Sequence, residues 1–166
     1  LRQSVAGCLA AMPASTLIFA PFTNSYDRFV DEAHAPTAVA WGYDNRTVAV
    51  RIPGGSPKSR RIEHRVAGGD ANPYLLLAAI LGAALSGIED AAKPPAPTEG
   101  NAYAKDRPSI PEDFSSAINL FEDSAQAKRF LPPDLIRNFI MTKRQELALW
   151  PTLSSDQQRA LTLTQV

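Results

Sequence analysis

The sequence holds one cysteine, two histidines and no excess of either charge, with 17 Lys and Arg against 17 Asp and Glu in 166 residues. The single thiol, Cys8, excludes an internal disulfide framework and fits a reducing compartment. It lies in the apolar run VAGCLAAM, where a small buried side chain is expected rather than a nucleophile. So few histidines and cysteines leave no self-contained zinc site. The neutral balance argues against a dedicated nucleic-acid binder and against a polybasic membrane-surface protein, both of which carry a basic excess. The longest uncharged run beyond the N-terminal segment, residues 71–88, is bounded by Asp70 and Glu89 and contains Asn72 and Pro73. Its apolar part falls short of the roughly 20 residues that a membrane span requires. The start, LRQSVAGCLAAMPASTLIFA, has no Lys/Arg-rich opening and no cleavage site, and is not read as a signal peptide. A beginning without Met, inside a helical pattern, is expected of a piece of a longer, cytoplasmic protein.

What is present is enough apolar sequence, 45%, for one domain with a hydrophobic core. Residues 2–19 read as a helix that Pro13 bends or divides. Residues 20–36 read as loop. Short β-prone runs follow at 38–41 and 47–52, separated by the turn signal GYDN, and a third strand is expected over 60–66 after the PGGSP turn. NPYLLLAAILGAALSGIE (72–89) is the clearest helix: Asn72 suits the N-cap, Pro73 the first turn, and the rest is apolar nearly all round, which predicts burial on most sides. KPPAPTEG (93–100) is a proline-rich connector. Helices are then expected over PEDFSSAINLFED, SAQAKRFL and PPDLIRNFIMTKRQELALW; in the last, Leu135, Ile136, Phe139, Ile140 and Leu147 form a core-packing stripe. The pattern is α+β, with a strand and helix core over 1–92 and a helical region over 93–166.

The charged residues are unevenly placed. The stretch NRTVAVRIPGGSPKSRRIEHR (45–65) holds six basic residues, Arg46, Arg51, Lys58, Arg60, Arg61 and Arg65, and a single acid, Glu63. On a strand, Arg61, Glu63 and Arg65 share one face about 6.5–7 Å apart, while Ile62 and Val66 share the other. An exposed strand face with alternating charges is the plain reading, worth a few tenths of a kcal/mol per pair. The preference for Arg over Lys points further, because the guanidinium fork grips carboxylate or phosphate in bidentate fashion. One carboxylate among such groups is what a Mg²⁺–nucleotide site needs from a protein, with phosphate oxygens supplying other ligands. No G-x-x-x-x-G-K-[ST] or G-x-G-x-x-G loop accompanies it, so a nucleotide here would be held by side chains.

The motifs NSYDRFV (24–30), AP (35–36), NRTVAVRIP (45–53), SPKSRRIEHR (56–65) and ANPYLLLAAILGAALSGI (71–88) resemble, in order and spacing, the C-terminal part of the catalytic domain of glutamine synthetases. The resemblance is continuous from about residue 20 to 90 and looser beyond 95. It implies that the family's N-terminal β-grasp domain is absent, and that the chain is part of an incomplete barrel-like domain with antiparallel strands packed against helices. It implies an ATP-dependent ligase using Mg²⁺ or Mn²⁺, which joins glutamate to ammonium or a small amine through γ-glutamyl phosphate, in a large ring-based homo-oligomer. By resemblance, Arg28 would grip the carboxylate of glutamate, and Arg65 its γ-carboxyl end. Arg46 and Arg51 would contact the phosphates of ATP, with Arg46 stabilising phosphoryl transfer. Arg61 and Lys58 would face the nucleotide, and Glu63 would be a metal ligand.

One position departs from the pattern. Members that use ammonium carry a glutamate just before the A-P that follows N-S-Y-x-R; here that position is His34, with Glu32 two residues earlier. A neutral imidazole attracts a cation poorly, yet can act as a base near pH 7. Such a histidine can equally be a loop residue with no catalytic task. WGYDNR and RIEHR are similar to the γ-glutamylpolyamine synthetase branch, which implies an organic acceptor such as putrescine. Tyr103 falls where some members carry an adenylylated tyrosine, but the residues after it differ, and an ordinary loop tyrosine is expected. The alternatives are a catalytically inactive relative and an Arg-rich anion-binding module. The isolated chain is expected to be inactive.

Overall fold

The computed structural model describes residues 1–30, 34–104 and 107–164. Helix α1 (Arg2–Phe19) runs unbroken through Pro13, so the expected division does not occur. Twelve of its residues are buried, and tertiary packing outweighs the hydrogen bond that proline cannot make. Its partner is α2 (Pro73–Glu89), started by Asn72, whose side chain accepts from the backbone N–H groups of Tyr74 and Leu75. The two helices touch backbone to backbone at Gly7 and Gly87. A Cβ on Gly7 would stand 2.0 Å from the Ala83 carbonyl oxygen, and one on Gly87 would stand 2.2 Å from that of Gln3.

The expectation that α2 is buried on most sides is corrected by the structure. Only Ala79, Ala83, Ser86 and Gly87 are buried, on the α1 side. Tyr74 (83% exposed), Leu77, Leu81 (65%), Leu85 and Ile88 form an outward apolar stripe at helical spacing.

The strands are shorter than the pattern predicts. β1 is Trp41–Tyr43, not 38–41; β2 is Val50–Ile52; β3 is only Glu63–His64. They form one mixed sheet in sequence order. β2 and β3 are antiparallel, as expected, but β1 and β2 are parallel, with Trp41 opposite Val50. The short return between them is held by local polar chemistry. Asp44 takes a left-handed φ of 46°, and the Asn45 side-chain oxygen accepts from the Thr47 N–H and hydroxyl. The proline-rich connector docks along β1: the Trp41 indole donates to the Pro95 carbonyl at 2.8 Å, and the Thr98 N–H donates to the Trp41 carbonyl at 2.7 Å.

Helices α3 (Phe114–Asp123), α4 (Ala127–Phe130), α5 (Pro133–Leu149) and α6 (Ser155–Thr164) complete the chain. α3 begins after Asp113 rather than at Pro111, because the Asp113 carboxylate caps the Ser116 N–H. α6 was not predicted. The α5 stripe packs through Ile136 and Ile140, with Phe139 and Leu147 partly buried and Leu135 at the exposed edge. The main core joins α1, the sheet, α3 and α5 around Met12, Phe19, Trp41, Val50, Ile118 and Phe121. Cys8 belongs to it, and burial pushes its thiol up to about 11. Among the described residues no helix is long and apolar enough to cross a membrane.

Candidate active site

The antiparallel pairing of β2 with β3 sets Arg51 opposite Glu63. An Arg51 Nη1–H donates to Glu63 Oε2 at 3.1 Å, and Arg65 Nε lies 3.4 Å from Glu63 Oε1. The row of Arg61, Glu63 and Arg65 expected along a single strand is therefore corrected: Glu63 stands between Arg51 of the neighbouring strand and Arg65. Arg61 lies before β3, exposed, and donates to the Ser59 carbonyl at 3.3 Å. Lys58 is exposed on the neighbouring 3₁₀ turn.

Parity holds on the reverse face. Val66 is fully buried, and the His64 ring packs on Phe19 with centroids 4.5 Å apart. His64 is partly buried as a residue, and its Nδ1 is enclosed and without a hydrogen-bond partner. Burial pushes its pKa down to about 4, so the ring is neutral near pH 7. The alternation of the two faces signalled this residue, although it was not singled out.

Asp44 was missed because it sits inside a turn signal. It accepts from the Gly54 N–H at 2.9 Å and from Arg51 Nη2–H at 3.0 Å. The Gly54 N–H first, and the Arg51 guanidinium with it, hold its carboxyl below the usual carboxylate range. Arg51 thus spans two carboxylates, Asp44 and Glu63.

Arg65 has a second task. Its guanidinium donates to the backbone carbonyls of Arg46, Val48 (3.2 Å) and His34 (3.3 Å). That ties β3 to the segment carrying Arg46 and to the loop carrying His34. His34 is exposed, with a left-handed φ of 68°. It shares a cleft of about 260 Å³ with Arg46, Thr47, Asn101 and Tyr103. Glu32 lies outside the described residues.

Arg28 stands apart from the row. It donates to the Phe19 carbonyl at 3.1 Å, stacks over Phe29 at 4.2 Å and lies beside Gly68 and Asp70. Burial lowers its pKa, and Asp70 opposes the shift. The structure therefore brings together Arg46, Arg51, Glu63, Arg65 and His34. It leaves Lys58 and Arg61 on the adjoining turn, and Arg28 at the end of α1.

A carboxylate held between guanidinium groups, on a small sheet backed by helices, is an arrangement whose chemistry suits contact with anions and can offer carboxylate oxygens to a cation. Residues 1–161 match the model of the glutamine synthetase catalytic domain. The chain is 40% identical over 156 residues to a γ-glutamylethanolamide synthetase of Streptomyces coelicolor, covering 94% of this chain and 34% of that protein. It is 36% identical over 156 residues to the γ-glutamylputrescine synthetase of Escherichia coli, covering 94% and 33%. Its fold superposes on the solved apo structure of GmaS with a TM-score of 0.81 and 30% identity, covering 95% of this chain and 37% of that one. The chain belongs to the glutamine synthetase family. It spans about a third of the length of the curated relatives named here.

Proposed function

We propose that this chain is the C-terminal portion of the catalytic domain of an ATP-dependent glutamate–amine ligase, and that its acceptor is an organic amine such as putrescine. The observation that carries the reading is Glu63 held between Arg51 and Arg65 across the β2–β3 pair. In the reaction, the γ-carboxylate oxygen of glutamate attacks the γ-phosphorus of ATP and ADP leaves. The amine nitrogen then attacks the γ-carbonyl carbon, loses a proton, and inorganic phosphate departs.

Charge accumulates on phosphoryl oxygens in the first step. Arg46 and Arg51, with Lys58 and Arg61 on the adjoining turn, would answer it with positive charge, the main catalytic device in such transfers. Arg28 and Arg65 bind the carboxylate ends of glutamate. His34 would take the proton of the amine, and an imidazole there lacks the negative charge by which a carboxylate attracts ammonium.

ATP and Mg²⁺ or Mn²⁺ are the cofactors implied. Glu63 fits one ligand position, since each of its oxygens keeps a lone pair beyond its contact with Arg51 or Arg65. Among the described residues no group of three or more His, Cys, Asp or Glu could complete a metal site, so Glu63 serves a site whose other ligands come from phosphate oxygens and the rest of the protein. The metal, when bound, neutralises phosphate charge and orients the transferring group. The full protein is read as a cytoplasmic, ring-based homo-oligomer with no nucleic-acid or membrane partner.

The names of two relatives support the acceptor class, one an ethanolamide and the other a putrescine synthetase, and so does His34 in place of a carboxylate. The test is ATP- and glutamate-dependent phosphate release by the full-length protein against a panel of amines. Organic amines ahead of ammonium are expected; ammonium ahead of every organic amine overturns the acceptor reading.

A further inference from the structure

The His34 loop is held by two donors from distant parts of the chain. Arg65 Nη2–H reaches the His34 carbonyl, and the Tyr103 hydroxyl donates to the next carbonyl, that of Ala35, at 3.0 Å. Left-handed backbone at a residue other than glycine is uncommon and persists where its surroundings enforce it; His34 has φ 68°. Tyr103 is itself fixed from the other side of the cleft. The Ala102 N–H donates to the Thr47 hydroxyl at 2.9 Å, and the Asn45 side-chain amide donates to the Thr98 and Gly100 carbonyls at 3.0 and 2.8 Å. Asn45 and Thr47 flank Arg46. One hydrogen-bond network therefore joins the Arg46 segment, residues 98–103 and the His34 loop, and its last link is the Tyr103 hydroxyl.

We propose that Tyr103 is a positioning residue for the amine acceptor: its hydroxyl fixes the Ala35 carbonyl, and so sets where the His34 imidazole stands relative to Arg46. The inference rests on the proposed amine ligase activity. A tyrosine that served loop cohesion alone would lower stability and affect every substrate alike. One that positions His34 acts on the amine and leaves glutamate and ATP, bound by the arginines, untouched.

The experiment compares wild type and Tyr103→Phe in the full-length protein, measuring KM for an organic amine, for glutamate and for ATP, with the thermal midpoint recorded alongside. Loss of one hydrogen bond is expected to raise KM for the amine about fivefold to tenfold, while KM for glutamate and ATP stays within about twofold. KM is independent of the concentration of active enzyme, so the comparison survives partial unfolding of the variant. An active wild type whose variant shows an unshifted amine KM, or an equal rise for all three substrates, overturns this inference alone. A wild type inert toward every amine overturns the ligase reading, and this inference with it.

Discussion

Arg51 donates to Glu63 at 3.1 Å across the β2–β3 pair, and the same guanidinium grips Asp44 at 3.0 Å. The pair is partly exposed, so its own stability is modest, of the order of 1 kcal/mol or less. Its value is directional: it holds the Glu63 carboxylate in place between the guanidinium groups of Arg51 and Arg65. Glu63→Gln in the full-length protein keeps the shape and a hydrogen-bond acceptor but removes the charge. The expected outcome is at least about tenfold weaker apparent Mg²⁺ or Mn²⁺ affinity in a metal titration of activity, with the melting temperature nearly unchanged. An unaltered metal titration removes Glu63 from the ligand set.

Gly7 and Gly87 form the tightest point of the α1–α2 contact. A methyl group at either position meets backbone, which cannot swing aside as a side chain does. Gly87→Ala gains helix propensity of up to about 1 kcal/mol but must push the helices apart, an overpacking cost of about 1–3 kcal/mol. Net destabilisation is expected in chemical denaturation. Equal or greater stability would mean that the helices can part without loss.

Asp113 caps α3, accepting from the Ser116 hydroxyl and N–H; these contacts, the hydroxyl foremost, hold its carboxyl below the usual carboxylate range. A depressed folded-state pKa gives stability that is present above the unfolded value and lost as pH falls through the folded one. The loss therefore falls below about pH 4. Asp113→Ala is expected to cost about 1 kcal/mol at pH 7. Asp113→Asn should retain most of the cap and flatten the acid limb, read from denaturation midpoints between pH 3 and 7. An alanine variant as stable as wild type at pH 7 would show the cap to be dispensable.

Long periodic segments and strand parity were legible in the sequence because each depends only on neighbours along the chain. Helix α2 with its Asn72 cap, the two-faced order of Glu63, His64 and Arg65, and the buried inert Cys8 are of this kind. Strand ends were not, because they depend on partners: β1 moved to Trp41–Tyr43 where the connector at Pro95 and Thr98 meets it. Asp44 was missed, and Tyr103 was read only as a loop tyrosine, for a related reason. Each acts through a backbone group distant in sequence, Gly54 N–H for one and the Ala35 carbonyl for the other. The resemblance named the arginines, but only the fold showed that Arg65 spends three donors on the carbonyls of His34, Arg46 and Val48.

The outward stripe of α2 sets the behaviour of the chain on its own. Tyr74, Leu77, Leu81, Leu85 and Ile88 are each at least half exposed and adjoin along one face. Contiguous apolar surface of this kind drives association in water. The isolated 166-residue chain is expected to self-associate with rising concentration in sedimentation velocity, and Leu81→Lys with Leu85→Lys to shift it toward monomer. It is also expected to show no ATP- and glutamate-dependent phosphate release, because Glu63 lacks enough neighbouring carboxylates among the described residues to complete a metal site. The lysine variant separates the two effects. If it becomes monomeric and stays inert, the missing ligands limit catalysis; turnover by the monomer would show that association had masked a complete site.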